Sequence, residues 1–180
     1  MSPFTIDYTG PFRENAAQIL RPVAGQRLQY LEIGVLEGRS AVWMLENILT
    51  NRHARYTGID AYVMSKTKRA DCIQRAKHNL GPYKHKARFL IGRSELLLPQ
   101  LLREGRQYDV IYIDGDHTGL GVAVDLAYSW RMLKPGGILA IDDMRHPRYR
   151  AIRPVVRAIL QELPHEALVE NEQLWVRKKA

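Results

Sequence analysis

The chain has 180 residues, 46% hydrophobic and 26% charged, which suits one soluble globular domain with a real core and would leave two domains undersized. Its 27 Lys and Arg against 19 Asp and Glu give a net charge of +8, a balance that fits nucleic acid, an anionic small molecule or plain solubility and so selects no partner. The single cysteine, Cys72, excludes an internal disulfide or cysteine-rich zinc site and reads as a packing residue. The apolar runs are strand-length, far from the roughly 20 residues of a membrane span, and no basic-then-apolar leader opens the chain, so a cytoplasmic protein without a membrane partner is expected.

From the amino end, an amphipathic helix near 14–20 is placed to cover a sheet edge. A β-rich apolar run at 28–33 follows, then a helix at 40–50, and the alternation repeats as strand 56–60, helix 66–79, strand 87–91 and helix 95–103. Strand 108–114, helix 120–132, strand 137–142 and helix 149–161 continue it, with Lys134-Pro135-Gly136-Gly137 as the turn into the fifth strand. This is the βαβ pattern of a parallel sheet. The carboxyl end changes character, because 167–169 and 174–176 flank the polar Glu170-Asn171-Glu172-Gln173 and read as an antiparallel hairpin.

In a doubly wound sheet, ligands bind beyond the carboxyl ends of the strands. The first strand enters LEIGVLEGRS (31–40), where Gly34 and Gly38 allow a tight turn and close backbone approach before a helix begins near Ser40. The second ends at Asp60, about 20 residues beyond that loop, where an acid accepts hydrogen bonds from both hydroxyls of a ribose. Four acids, Asp114, Asp116, Asp142 and Asp143, stand at the ends of two further strands, a concentration that no core requires. Adjacent strands lie about 4.8 Å apart, so such carboxylates converge on a hard divalent cation such as Mg²⁺ and would repel one another without it.

LEIGVLEGRS, the YTGID acid, IGRSELLLPQL, YDVIYIDGDH and LKPGGILAIDDM stand in the order seen in class I S-adenosylmethionine-dependent methyltransferases, which the chain resembles over most of its length. The likeness is nearest to metal-dependent O-methyltransferases of the macrocin-type sugar and the catechol and caffeoyl-coenzyme A types. It implies a single Rossmann-like α/β methyltransferase domain over 1–180, with a mostly parallel seven-stranded sheet and a C-terminal antiparallel hairpin. It also implies S-adenosylmethionine as cofactor, held by Glu32, Gly34, Leu36, Gly38, Ser40, Asp60, Ala61, Arg93, Ser94 and Asp114. Mg²⁺ would be held by Asp114, Asp142 and Asp143, the last replacing the Asn of catechol-type enzymes.

Two residues compete as the base that takes the acceptor's proton. Asp116 matches the acid of the sugar-modifying relatives and is preferred, whereas His117 stands where catechol-type enzymes place a lysine and has the intrinsic pKa for the task. The expected substrate is a small hydroxylated acceptor, sugar or phenol, with a basic rim of Arg145, His146, Arg148 and Arg150 as a weaker indication of an anionic one. Nucleic acid is the lesser alternative, as the partner of an RNA-modifying methyltransferase; a non-catalytic cofactor-binding protein of the same fold is the other. Only about 27 residues precede the first strand, which leaves the acceptor pocket open or completed by a second subunit in a homodimer. His53, His78, His85 and His165 read as surface residues, and Trp43, Trp130 and Trp175 as packing residues.

Overall fold

Seven strands form one sheet: β1 (Gln29–Ile33), β2 (Arg55–Asp60), β3 (Ala87–Ile91), β4 (Tyr108–Ile113), β5 (Leu133–Ile141), β6 (His165–Glu170) and β7 (Leu174–Lys178). Their order is β3-β2-β1-β4-β5-β7-β6, with β1 to β5 parallel and β7 antiparallel to both β5 and β6. This computed structural model describes Phe4, Thr5, Asp7 and residues 9–179. Among the described residues six α-helices connect or cover the strands: α1 (Gly10–Leu20), α2 (Arg39–Asn47), α3 (Lys66–Leu80), α4 (Ser94–Arg103), α5 (Gly119–Met132) and α6 (Ile152–Leu160). Among the described residues, no helix is long and apolar enough to cross a membrane.

Strand periodicity of two divides the core. Leu31, Ile33, Ile59, Ile111, Ile113, Leu139 and Ile141 face α4, α5 and α6, whose Leu98, Leu126 and Val156 are buried against them. Tyr30, Tyr56, Val110, Tyr112, Ile138 and Ala140 face the other way, with Phe12 and Ala16 of α1, Met44 of α2 and Leu80 of α3. Trp130 and Trp175 are buried in these two layers, as expected, and Trp43 packs edge-on against Phe12.

Two local differences from the sequence reading have clear causes. The fifth strand begins at Leu133, not Gly137, because Leu133 already pairs with Tyr108 before the ladder slips between Tyr108 and Val110. The Lys134–Gly137 segment is therefore an irregularity inside a strand, with Gly136 at φ +75°. Helix α6 begins at Ile152, later than the expected 149, and the Tyr149 ring is used elsewhere.

Strand order reverses between β1 and β4, so the loops after these strands leave in opposite directions and open a crevice at their carboxyl ends. Tyr112 and Ala140 point to the same face, so Asp114 and Asp142, two positions further on, extend that face into the crevice.

Candidate active site

The loop after β1 is built on a glycine that admits no substitute. Gly34 has φ +95°, and a Cβ there would lie 1.9 Å from the Asp114 carbonyl oxygen, so the β1 and β4 loops touch backbone to backbone. Asp60 then fastens the loop: its Oδ2 accepts the Val35 and Leu36 N–H groups at 2.8 and 2.7 Å, and its Oδ1 accepts that of Tyr62 at 2.7 Å. The Tyr62 hydroxyl closes the bracket by donating to the Leu36 carbonyl at 2.6 Å. Leu36 and Tyr62 both have φ of 49°, a left-handed conformation that these bonds hold in place.

Beneath the loop, Glu32 is completely buried. One carboxylate oxygen accepts the Ser40 hydroxyl and the other the Tyr56 hydroxyl at 2.7 Å, tying β1 to α2 and β2. Burial pushes the Glu32 carboxyl up to about 8, with the two hydroxyls opposing the rise. Thr9, Gly34, Leu36, Ser40, Tyr112 and Asp114 line a cavity of about 80 Å³, which brings together four residues expected at the cofactor. Ala61 is half-buried just beyond Asp60. Gly38, at φ +81°, caps α2, while Ser94 opens α4 and the exposed Arg93 pairs with Glu95.

The acids divide into three environments. Asp114 and Asp143 converge on His117, whose Nε2 lies 3.3 Å from Asp114 Oδ1 and 2.8 Å from Asp143 Oδ2. Hydrogen bonds that His117 donates to Asp114 and Asp143 raise its imidazole to about 10, and burial raises the Asp114 carboxyl in turn. Asp143 has φ 58°, and its own N–H donates to Asp142 Oδ1 at 2.7 Å. Asp142 is held from the other side, where Oδ2 accepts the Tyr112 hydroxyl and, at 3.0 Å, the Gln173 amide. Asp116 is exposed, accepts the Thr118 N–H at 2.9 Å and folds back over Gly121 in the first turn of α5.

Ligand atoms of Asp114, His117 and Asp143 all lie within 4.8 Å of one another, a donor set of two carboxylates and one imidazole that fits a divalent cation. Asp142 adjoins this trio through the Asp143 N–H, with its own carboxylate committed to Tyr112 and Gln173. Asp114 and Asp143 thus come together as the sequence suggests, His117 joins them, and Asp116 stands apart in a helix-start turn.

Three side chains were not singled out by the sequence reading. Gln173 is 1% exposed and binds Asp142, Asn15 and the Trp175 indole, although it follows a polar hairpin turn. Tyr149 lies between two imidazoles, its ring 4.3 Å from His117 and 4.4 Å from His146. Asp125 is fully buried within α5, and burial lifts its carboxyl to about 6. Its signal was legible: an acid set between Val122 and Leu126 on the apolar stripe of a helix.

A family model described as a methyltransferase domain matches residues 31–144, from the first strand through the last of the clustered acids. The chain belongs to this family. No curated protein matches its sequence. The solved structures similar to this methyltransferase domain include an O-methyltransferase from Bacillus cereus in complex with SAH, 20% identical, with a TM-score of 0.70 over 99% of this chain and 84% of that one. The TDP-rhamnose 3'-O-methyltransferase CalS11 of calicheamicin biosynthesis is 16% identical, with a TM-score of 0.67 over 93% of this chain and 77% of its own. MycE of the mycinamycin pathway, in complex with Mg and SAH, is 16% identical with a TM-score of 0.69; the methyltransferase domain spans 97% of itself and 51% of that chain. At these identities the likeness is one of fold, the class I methyltransferase fold with its antiparallel carboxyl-terminal strands.

Proposed function

We propose that the chain transfers the methyl group of S-adenosylmethionine to a hydroxyl of a small acceptor, with a divalent cation at the acceptor side. The observation that carries this reading is the meeting of Asp114, His117 and Asp143 at the mouth of the crevice whose floor is the Gly34 loop. Similar folds bind SAH in an O-methyltransferase and Mg with SAH in MycE, which supports the same pairing here.

The loop residues Gly34 and Leu36, with Ser40 and Asp114 around the same cavity, would receive the cofactor, and Asp60 would hold the loop in its receptive shape. Asp114 and Asp143, joined by Asp142, would hold the cation and leave His117 Nε2 free for the acceptor. A cation bound there lowers the pKa of an acceptor hydroxyl and fixes its orientation. His117 is the better placed of the two base candidates, because its Nε2 sits among the carboxylates while Asp116 is engaged by Thr118. With Asp114 and Asp143 turned to the cation, His117 would lose the ion pairs that keep its imidazole protonated, and Nε2 would take up the acceptor proton as the hydroxyl oxygen displaces S-adenosylhomocysteine from the methyl carbon. Sugars and phenols both satisfy this geometry, and the loops that choose between them lie outside the shared motifs.

Calorimetric titration of S-adenosylmethionine into the wild type and Asp60→Ala, followed by methyl-transfer assays on hydroxylated acceptors with and without Mg²⁺, tests the reading. One-site binding that weakens at least tenfold in Asp60→Ala is expected. A folded, cofactor-free wild type that binds no S-adenosylmethionine would overturn it and favour a non-catalytic role.

A further inference from the structure

We propose that the opposite edge of the sheet, at the amino ends of the strands, carries a second binding site that takes a di- or triphosphate group. A cavity of about 280 Å³ opens there between the starts of β1, β2, β3 and β4, far along the strands from the acids of the crevice. Its walls carry Arg55, Lys84, Lys86, Arg88 and Arg106. Among the described residues one carboxylate pairs with them: Glu104 Oε2 accepts Arg88 at 3.1 Å and Arg106 at 3.2 Å, while its Oε1 accepts the Gln100 amide.

Helices that return antiparallel to the strands end at this edge, and their free carbonyls attract cations. That accounts for Lys86, whose ammonium is buried and donates to the Leu49 carbonyl just past α2. It does not account for the others. Arg55 donates to the carbonyls of Arg52 and Ala54 at the mouth, and among the described residues neither Arg55 nor Lys84 has an acid partner. The result is a concave surface with a surplus of permanent positive charge, where guanidinium forks and an ammonium match phosphoryl oxygens. Several such cations around one pocket suit a group carrying three or four negative charges better than a single phosphate.

A second, independent observation lies in the lining. Tyr108 is 3% exposed, and among the described residues its buried hydroxyl has no hydrogen-bond partner of normal geometry, with the Thr57 side chain as its polar neighbour. A buried hydroxyl without a partner is uncommon and points to a ligand or water as its complement.

Titration calorimetry with pyrophosphate and tripolyphosphate, in about 150 mM salt to screen surface charge and with sulfate as a simple-anion control, tests the proposal. Saturable one-site binding is expected, at least tenfold weaker in the Arg55→Ala/Lys84→Ala double variant, while S-adenosylmethionine binding at the other edge is unchanged. Tyr108→Phe removes only the hydroxyl, so reduced polyphosphate binding with undiminished thermal stability is expected. Absence of polyphosphate binding, equal binding by sulfate, or binding unaffected in the folded double variant would each overturn the site. Binding of a single-stranded RNA oligomer without terminal phosphates, where pyrophosphate fails to bind, would replace it with an extended nucleic-acid surface.

Discussion

The Gln173 amide nitrogen donates to Asp142 Oδ2 at 3.0 Å, while the carbonyl oxygen of the same side chain accepts Asn15 at 3.0 Å and the Trp175 indole at 2.9 Å. One buried amide from the terminal hairpin thus fixes the orientation of a crevice acid and ties it to helix α1. Asn171 strengthens the link through its own exchange with Asn15.

Replacing Gln173 by Leu leaves Asn15, Trp175 and Asp142 short of partners in a buried setting. The expected loss is about 1–3 kcal/mol in urea unfolding. On the proposed function, the Mg²⁺ concentration for half-maximal methyl transfer rises about 10-fold or more, as for other residues that orient a metal ligand. A loss of stability without a change in Mg²⁺ dependence would confine Gln173 to a structural role.

Tyr149 holds His117 on one face and His146 on the other. Tyr149→Phe keeps both stacked contacts and is expected to retain activity within about twofold, whereas Tyr149→Ala frees the His117 ring and is expected to lower kcat about tenfold with little change in cofactor affinity. Steady-state kinetics on the two variants checks this. Equal losses in both would shift the role to the hydroxyl.

At Gly34, any side chain meets the Asp114 carbonyl at 1.9 Å on a backbone with φ of +95°. Gly34→Ala is expected to destabilise the fold by about 3 kcal/mol or more, through combined strain and overlap. Gly105 also has a positive φ but lies in open space, so Gly105→Ala is the control and is expected to cost only about 1 kcal/mol. Urea midpoints measured side by side separate overlap from backbone strain.

Burial raises the Glu32 carboxyl from 4.5 to about 8. The folded state therefore holds a proton that the unfolded chain releases, so this group's stabilising contribution is complete below about 4.5 and is lost as pH rises to about 8. Glu32→Gln has no proton to lose. Its stability relative to wild type is expected to improve across that window by a few kcal/mol at most, to order of magnitude. Parallel curves for the two proteins would show that Glu32 ionises as freely in the fold as outside it.

The crevice acids were legible because they stand at strand ends, where a run of alternating apolar residues stops and the next side chains face solvent or ligand. Asp114 and Asp143 were found this way. Asp60 was singled out by its spacing as a ribose acceptor; what the spacing did not show is that its carboxylate also fastens the loop through N–H groups from 25 and 24 residues earlier. Gln173 was invisible because its signal is registry. It faces Asp142 only because Ile141 pairs with Leu174 across antiparallel strands, a relation between residues that local composition does not encode.

By itself, then, the sequence determined the alternation of strands and helices, the division of each strand into two apolar faces, and the positions of the glycine loop and the acids. These follow from period, turn chemistry and burial, which act over a few residues. Tertiary structure decided which acids meet, that His117 rather than Asp116 stands between them, that Tyr149 and Gln173 support them, and that basic residues from separate strand starts share one cavity. Those relations depend on strand order and on side chains brought together across tens of residues, and only packing of the whole sheet supplies them.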